Sequence, residues 1–180
     1  ALRRPVTDKE IESFVSLAKP HHPKDQPMHK MVRAPLRTMF SSPQFLFHAG
    51  QPGPLDNHAL ASRLSYFLWK TLPDDELTSL ANEKKLTQPK VLAMQVDRML
   101  NDLRSNRFIN DFLDGWLHLS DIDATTPDPT LYPEYDNELR QAMLAETRLY
   151  LRELLSKNLP ARNFIKSDFT FVNRRLAHHY

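Results

Sequence analysis

The chain has 180 residues, 41% of them hydrophobic and 26% charged, with a formal charge of +2 from 24 basic and 22 acidic side chains. That is enough apolar material for a core, so disorder is not the expectation. The charge is too balanced to predict a nucleic-acid or anionic-membrane partner, and no apolar run approaches the roughly 20 residues that span a bilayer.

Only 3 residues are Gly, against 14 Pro. Few glycines disfavour a sheet-rich fold with many tight hairpins, and many prolines suit helices joined by stiff connectors. The chain has no Cys. Disulfides, thiolate metal sites, thiol nucleophiles and covalent c-type haem attachment are therefore excluded within it. The opening Ala1-Leu2-Arg3-Arg4-Pro5 has neither an initiator Met nor a signal peptide, so the chain is expected to be part of something longer.

In chain order, Thr7-Asp8-Lys9-Glu10 has the form of a capping box. Ile11, Phe14, Val15 and Ala18 follow at helical spacing. Pro20 to Pro27 is a polar linker that carries His21 and His22. A second helical pattern runs through Met31, Val32, Leu36, Met39 and Phe40, and Pro35 predicts a kink or a late start there. Ser42-Pro43 reads as a cap with Pro at the first helical position. Gln51 to Leu55 is a connector, after which Asp56 or Asn57 can cap the next helix.

That next helix, Ala59–Trp69, is apolar over most of its circumference and is expected at the centre of the core. Leu60, Leu64, Phe67 and Leu68 form its expected inner stripe, with Arg63 at the edge beside Tyr66 and Phe67. Pro73 followed by three acids opens another helix. Thr87 is expected to cap a further one, whose stripe is Leu92, Val96, Met99 and Leu100. Ser105 opens a helix with Phe108, Ile109, Phe112, Leu113, Trp116 and Leu117 on one broad face. Asp121 to Pro133 reads as a loop, and Asp136 caps the longest helix, from Asn137 to about Lys157. A turn follows Pro160, Asp168–Val172 is the only strand-like run, and Asn173 caps a last helix.

Several constellations carry chemistry on paper. Arg63 can grip a carboxylate, such as a haem propionate or an acidic sugar. Its plainer reading is a boundary arginine whose stem covers apolar surface. Asp111, Asp114 and His118 share a helix face and are metal-ligand types. Their plainer reading is the solvated side of an amphipathic helix. Asp121, Asp123 and Asp128 lack the spacing and the Gly of an EF-hand loop. Of the 8 His, His178 and His179 are the best candidates for haem ligation or proton chemistry, against a plainer role at a helix C-terminus. The five Tyr and two Trp, Tyr66, Trp69 and Trp116 among them, can stack on sugars or bases, but at helical spacing aromatics more often form core.

The residues also carry a resemblance. The opening Arg3-Arg4-Pro5-Val6-Thr7, the run Ser42-Pro43-Gln44-Phe45-Leu46-Phe47, and Leu60-Ala61-Ser62-Arg63-Leu64-Ser65-Tyr66-Phe67-Leu68-Trp69 lie in order along it. Leu72–Leu77, Pro129–Tyr135 and Asp168–Tyr180 follow. Together they resemble domains of unknown function found in planctomycete cytochrome-c-associated proteins. The resemblance spans nearly the whole chain. It implies two adjacent domains, a short one over 1–50 and a main one over 51–180 that is truncated at its C-terminus, with one shared core. It also implies an exported, extracytoplasmic parent protein whose c-type haem lies in flanking domains, with polysaccharide as a substrate class. His179 is the family-type histidine, because the family's H-Y falls on His179-Tyr180. The resemblance supplies no catalytic residue and so leaves open whether the chain is an enzyme.

The expected fold is all-α, an irregular bundle of roughly seven to nine helices. The leading functional expectation is a structural, pocket-forming module of a redox protein, partnered by flanking domains of the same polypeptide. Arg63, Tyr66, Trp69, Trp116 and His179 are its candidate contact residues. A glycan- or protein-binding module without a redox role is the alternative. A metal-dependent hydrolase built on Asp111, Asp114 and His118 is the third reading.

Overall fold

The computed structural model describes residues 4–18, 28–47 and 53–180. Among these the fold is all-α, as expected, with no strand. The helices are α1 (Asp8–Ala18), α2 (Met28–Phe40), α3 (Pro43–Leu46), α4 (Asn57–Trp69), α5 (Asp75–Asn82), α6 (Pro89–Leu100), α7 (Asn106–Leu117), α8 (Asn137–Ser156) and α9 (Arg174–His179). The Pro20–Pro27 linker with His21 and His22, as well as His48, lies outside the described residues.

Helix starts follow local cap chemistry. Glu10 accepts from the Thr7 backbone N–H at 2.9 Å, which is half of the capping box. Asp56, Asp74, Asp136 and Asn173 each accept from the N–H three residues on, at 2.7 to 3.0 Å. Each such cap satisfies an orphan donor and is worth about 1 kcal/mol. Asp74 takes the cap of α5, so Pro73 stands before the helix and not at its first position. Gln88 accepts the first bond of α6, from Leu92 N–H, in place of the expected Thr87.

Helix ends follow a different rule. With so few glycines, non-glycine residues take the left-handed conformation instead: Lys70, Lys84, His118 and Asn158 have φ of 47° to 56°. Lys70 and His118 directly follow α4 and α7 in this geometry, the position where Gly is usual.

The chain divides into two compact units, one of Ala1–Leu64 with Leu72–Leu92, the other of Ser65–Thr71 with Ala93–Tyr180. In the first, α1 packs on α2, and α2 on α3. The Phe40 and Phe45 rings meet edge to face at 5.1 Å. Pro35 lies inside α2, which begins at Met28, so the late start does not occur. Ser42 stands at the cap of α3, but its hydroxyl turns back to donate to the Met39 carbonyl at 2.8 Å. The Asn57 side chain accepts from Thr87 N–H, which leaves Asp56 to cap α4. Ala61, Leu77, Ala81 and Leu86 are buried.

In the second unit α7 and α9 each pack on α8. Ile109 and Leu113 of α7 join Leu151 of α8, with Phe108, Leu119 and Leu155 against them. Nearer the start of α8, Leu139 and Ala142 close on Leu176 of α9, with Tyr135 and Met143 alongside. The Asp168–Val172 run is not a strand. It is held to α8 through side chains, because Glu146 accepts from the Thr170 hydroxyl and from Tyr180 at 2.6 Å.

Candidate functional site

The end of α4 places Trp69 inside the second unit with no exposed surface. A buried indole needs an acceptor for its N–H, and the Met99 carbonyl at the end of α6 supplies one at 3.0 Å. The Arg104 guanidinium lies 3.4 Å from the ring centroid and that of Arg98 lies 5.4 Å from it. Arg107 of α7 donates to the Trp69 carbonyl at 2.7 Å, which satisfies an orphan group at the end of α4.

Asp102 fixes Arg104. It caps the short 3₁₀ turn Leu103–Ser105, accepting from Arg104 backbone N–H, Nε and Nη2 at 2.8, 2.9 and 2.7 Å. The Arg104 side chain first, and its backbone N–H second, hold the Asp102 carboxyl down to about 2. Buried Ser105 ties the turn to its surroundings by donating to the Leu100 and Asp102 carbonyls.

A second aromatic group faces solvent. Phe108, Phe112 and Trp116 recur every four residues along α7, so their rings lie one above another. Their centroids are 5.8 and 5.7 Å apart. Phe67 of α4 extends the row at one end, 4.9 Å from Phe108. Phe164 extends it at the other, edge-on to Trp116 at 5.4 Å. Phe164 belongs to the 3₁₀ turn Ala161–Phe164, where the Tyr150 hydroxyl donates to the Asn163 carbonyl at 2.6 Å. Phe67 is 63% exposed and Trp116 49%, and Phe112 and Phe164 are also exposed. The broad face expected of α7 is thus split: Ile109 and Leu113 enter the core, while the aromatic positions form a five-ring row at the surface.

The other sequence candidates fall elsewhere. Phe67 is not part of the inner stripe of α4, whose buried residues are Ala61, Ser62, Ser65, Leu68 and Trp69. Tyr66 is half-buried, and Arg63 is exposed with no hydrogen bond or ion pair among the described residues. Trp69 is core, so it offers no stacking platform to a ligand. Asp111 pairs with Lys70. His118 turns off the end of α7, 3.8 Å from Asp121. Among the described residues no group of three or more acids and histidines is placed to hold a metal ion. His178 and His179 are exposed at the end of α9, where the His179 ring lies 5.8 Å from that of Tyr180. The chain has no cysteine thiol for covalent c-type haem attachment.

Sequence reading missed Asp102, Arg98, Arg104 and Arg107 as partners of Trp69. They come from 29 to 38 residues further along the chain, and no local spacing links them to it. The Asp102-x-Arg104 pattern was the nearest local signal.

No helix among the described residues is long and apolar enough to cross a membrane. No curated protein and no solved structure matches the chain. Residues 1–49 match the family described as PSD5, a protein of unknown function (DUF1595). Residues 55–180 match the family described as PSD4, a protein of unknown function (DUF1592), and the chain belongs to that family.

Proposed function

We propose that the chain is a helical packing module of a larger, exported, c-type-cytochrome-associated protein, and that it meets a flanking domain of that protein through the aromatic row. The exposed row carries this reading. Five rings in mutual contact, with Phe67 and Trp116 about half open to solvent, form the kind of aromatic surface enriched at the centres of protein interfaces. The haem belongs to the neighbouring domain, and this module shapes its surroundings by packing. Arg63, exposed and unpaired among the described residues, and His179 are the polar contact candidates in the same reading.

The test is a reduced-minus-oxidised visible spectrum of the intact parent protein, wild type against a Phe112→Ala/Trp116→Ala double variant. Haem bands of c-type that shift in the variant support the reading. Bands that stay fixed, or no haem bands at all, sink it.

A second reading has its own observation. The half-exposed indole of Trp116, braced by Phe112 and Phe164, is a stacking platform suited to a sugar ring. Saturable quenching of Trp116 fluorescence by a neutral oligosaccharide, together with fixed haem bands, would favour it.

A further inference from the structure

A cavity of about 220 Å³ lies in the second unit and shares no residue with the aromatic row. Leu149, Arg152, Glu153 and Ser156 of α8 line it at spacings of three and four, so a single helix face makes one wall. Leu100 and Phe171 add apolar surface, and the Asp102–Ser105 turn completes the lining.

Most of the polar groups of this lining are engaged. Asp102 holds Arg104 at 2.7 Å, and Glu153 pairs with Lys157. Ser105 donates to two carbonyls, and Ser156 to the Glu153 carbonyl. Arg152 is different. Its Nε is buried and meets no hydrogen-bond partner among the described residues. It forms no ion pair there either, although Glu153 adjoins it in sequence. Arg148, one turn earlier on α8, has a buried Nε in the same condition. Buried donors of this kind nearly always find an acceptor.

We propose that the cavity binds a small monocarboxylate, with its carboxylate on the Arg152 guanidinium and its hydrocarbon tail against Leu100, Leu149 and Phe171. The planar guanidinium fork matches a carboxylate bidentately. The volume lies below the usual range for drug-sized ligands, so the guest has only a few heavy atoms. The carboxylates of Asp102 and Glu153 on the same lining disfavour a second negative charge, which sets a monocarboxylate above a phosphate dianion.

The test is a nuclear magnetic resonance titration of the full chain with sodium butyrate, read at the Arg152 Nε–Hε signal and the Ser156 and Phe171 amides. Neutral butyramide and inorganic phosphate are the comparison probes. The expected result is a saturable shift of these signals by butyrate, with both comparison probes at least about tenfold weaker. Arg152→Lys keeps the charge but loses the fork, and should weaken butyrate binding about tenfold. If that variant does not fold, the wild-type comparison still decides. Equal binding of butyramide would mark a merely apolar cavity, and stronger binding of phosphate would refute the monocarboxylate. Unsaturable shifts spread over the surface arginines, or no shift at all, would also overturn the proposal.

Discussion

The two tryptophans of this chain sit in opposite environments. Trp69 has no exposed surface, and its N–H, carbonyl and ring each have a partner: Met99, Arg107 and Arg104. Trp116 is 49% exposed, and its ring meets those of Phe112 and Phe164. A large aromatic with its polar groups satisfied on three sides is held in one arrangement and serves stability. An aromatic row left open is surface that burial against a partner would stabilise. The difference separates the scaffold from the candidate interface within one unit.

The largest expected effect breaks the Trp69 side of the comparison. Trp69→Ala removes a fully buried ring and should cost about 3–5 kcal/mol, seen as a lower urea midpoint. Trp69→Phe keeps most of the apolar burial but removes the indole donor, so the Met99 carbonyl keeps only the longer bond from Asp102 N–H at 3.4 Å. It should cost about 1 kcal/mol by the same measurement.

The Asp102–Arg104 pair links this core to pH. The Asp102 carboxyl is depressed in the folded state to about 2, from an ordinary value of 3.8. A depressed carboxyl contributes stability above its unfolded value and loses it as pH falls through its folded value. Urea midpoints measured from about pH 5 down to pH 2 should therefore fall more steeply in wild type than in Asp102→Asn. Glu10 is held at about 2 by Arg4 and contributes in the same window, so the difference between the two proteins is the informative quantity. Identical pH slopes would remove Asp102 from the support of Trp69.

Smaller effects are expected on the Trp116 side. His118, just past the end of α7, has φ of 52°, where a side chain is strained and Gly is not. His118→Gly should raise stability by up to about 1 kcal/mol, read as a higher midpoint. A loss of stability would mean that the imidazole has a structural role the geometry does not show. Trp116→Ala should change stability least, by about 0.5 kcal/mol, while abolishing whatever the row binds.

The parts of the fold legible in sequence were those set by neighbours along the chain. Thr7, Asp56, Asp136 and Asn173 announced helix starts because a cap bonds only two or three residues ahead. The all-α class followed from long apolar periodicity. On α5, α6 and α8 the apolar spacing did mark buried residues, Leu77, Ala81, Met99, Leu139, Leu151 and Leu154 among them; what stayed hidden was which side of α4 and α7 faces inward. Ala59–Trp69 is apolar nearly all round, so spacing alone could not separate buried Trp69 from exposed Phe67. On α7, Ile109 and Phe108 are adjacent and both apolar, yet Ile109 fills the core while Phe108, partly buried against its edge, joins the aromatic row. Arg63 looked like the cation of the aromatic cluster because it is near in sequence. The arginines that do meet Trp69 come from α6, the Leu103–Ser105 turn and α7, brought to it by tertiary packing. Asp168–Val172 has strand composition but no partner strand among the described residues, so it stays irregular and is tied to Glu146 through Thr170.

The most direct test of the contrast is acrylamide quenching of the two tryptophans. Burial of Trp69 and exposure of Trp116 predict a wild-type Stern–Volmer plot that curves, with an easily quenched fraction. In Trp116→Phe, where only Trp69 emits, the plot should become shallow and linear. Strong quenching in Trp116→Phe would place Trp69 in solvent and contradict the division between a buried anchor and an exposed row.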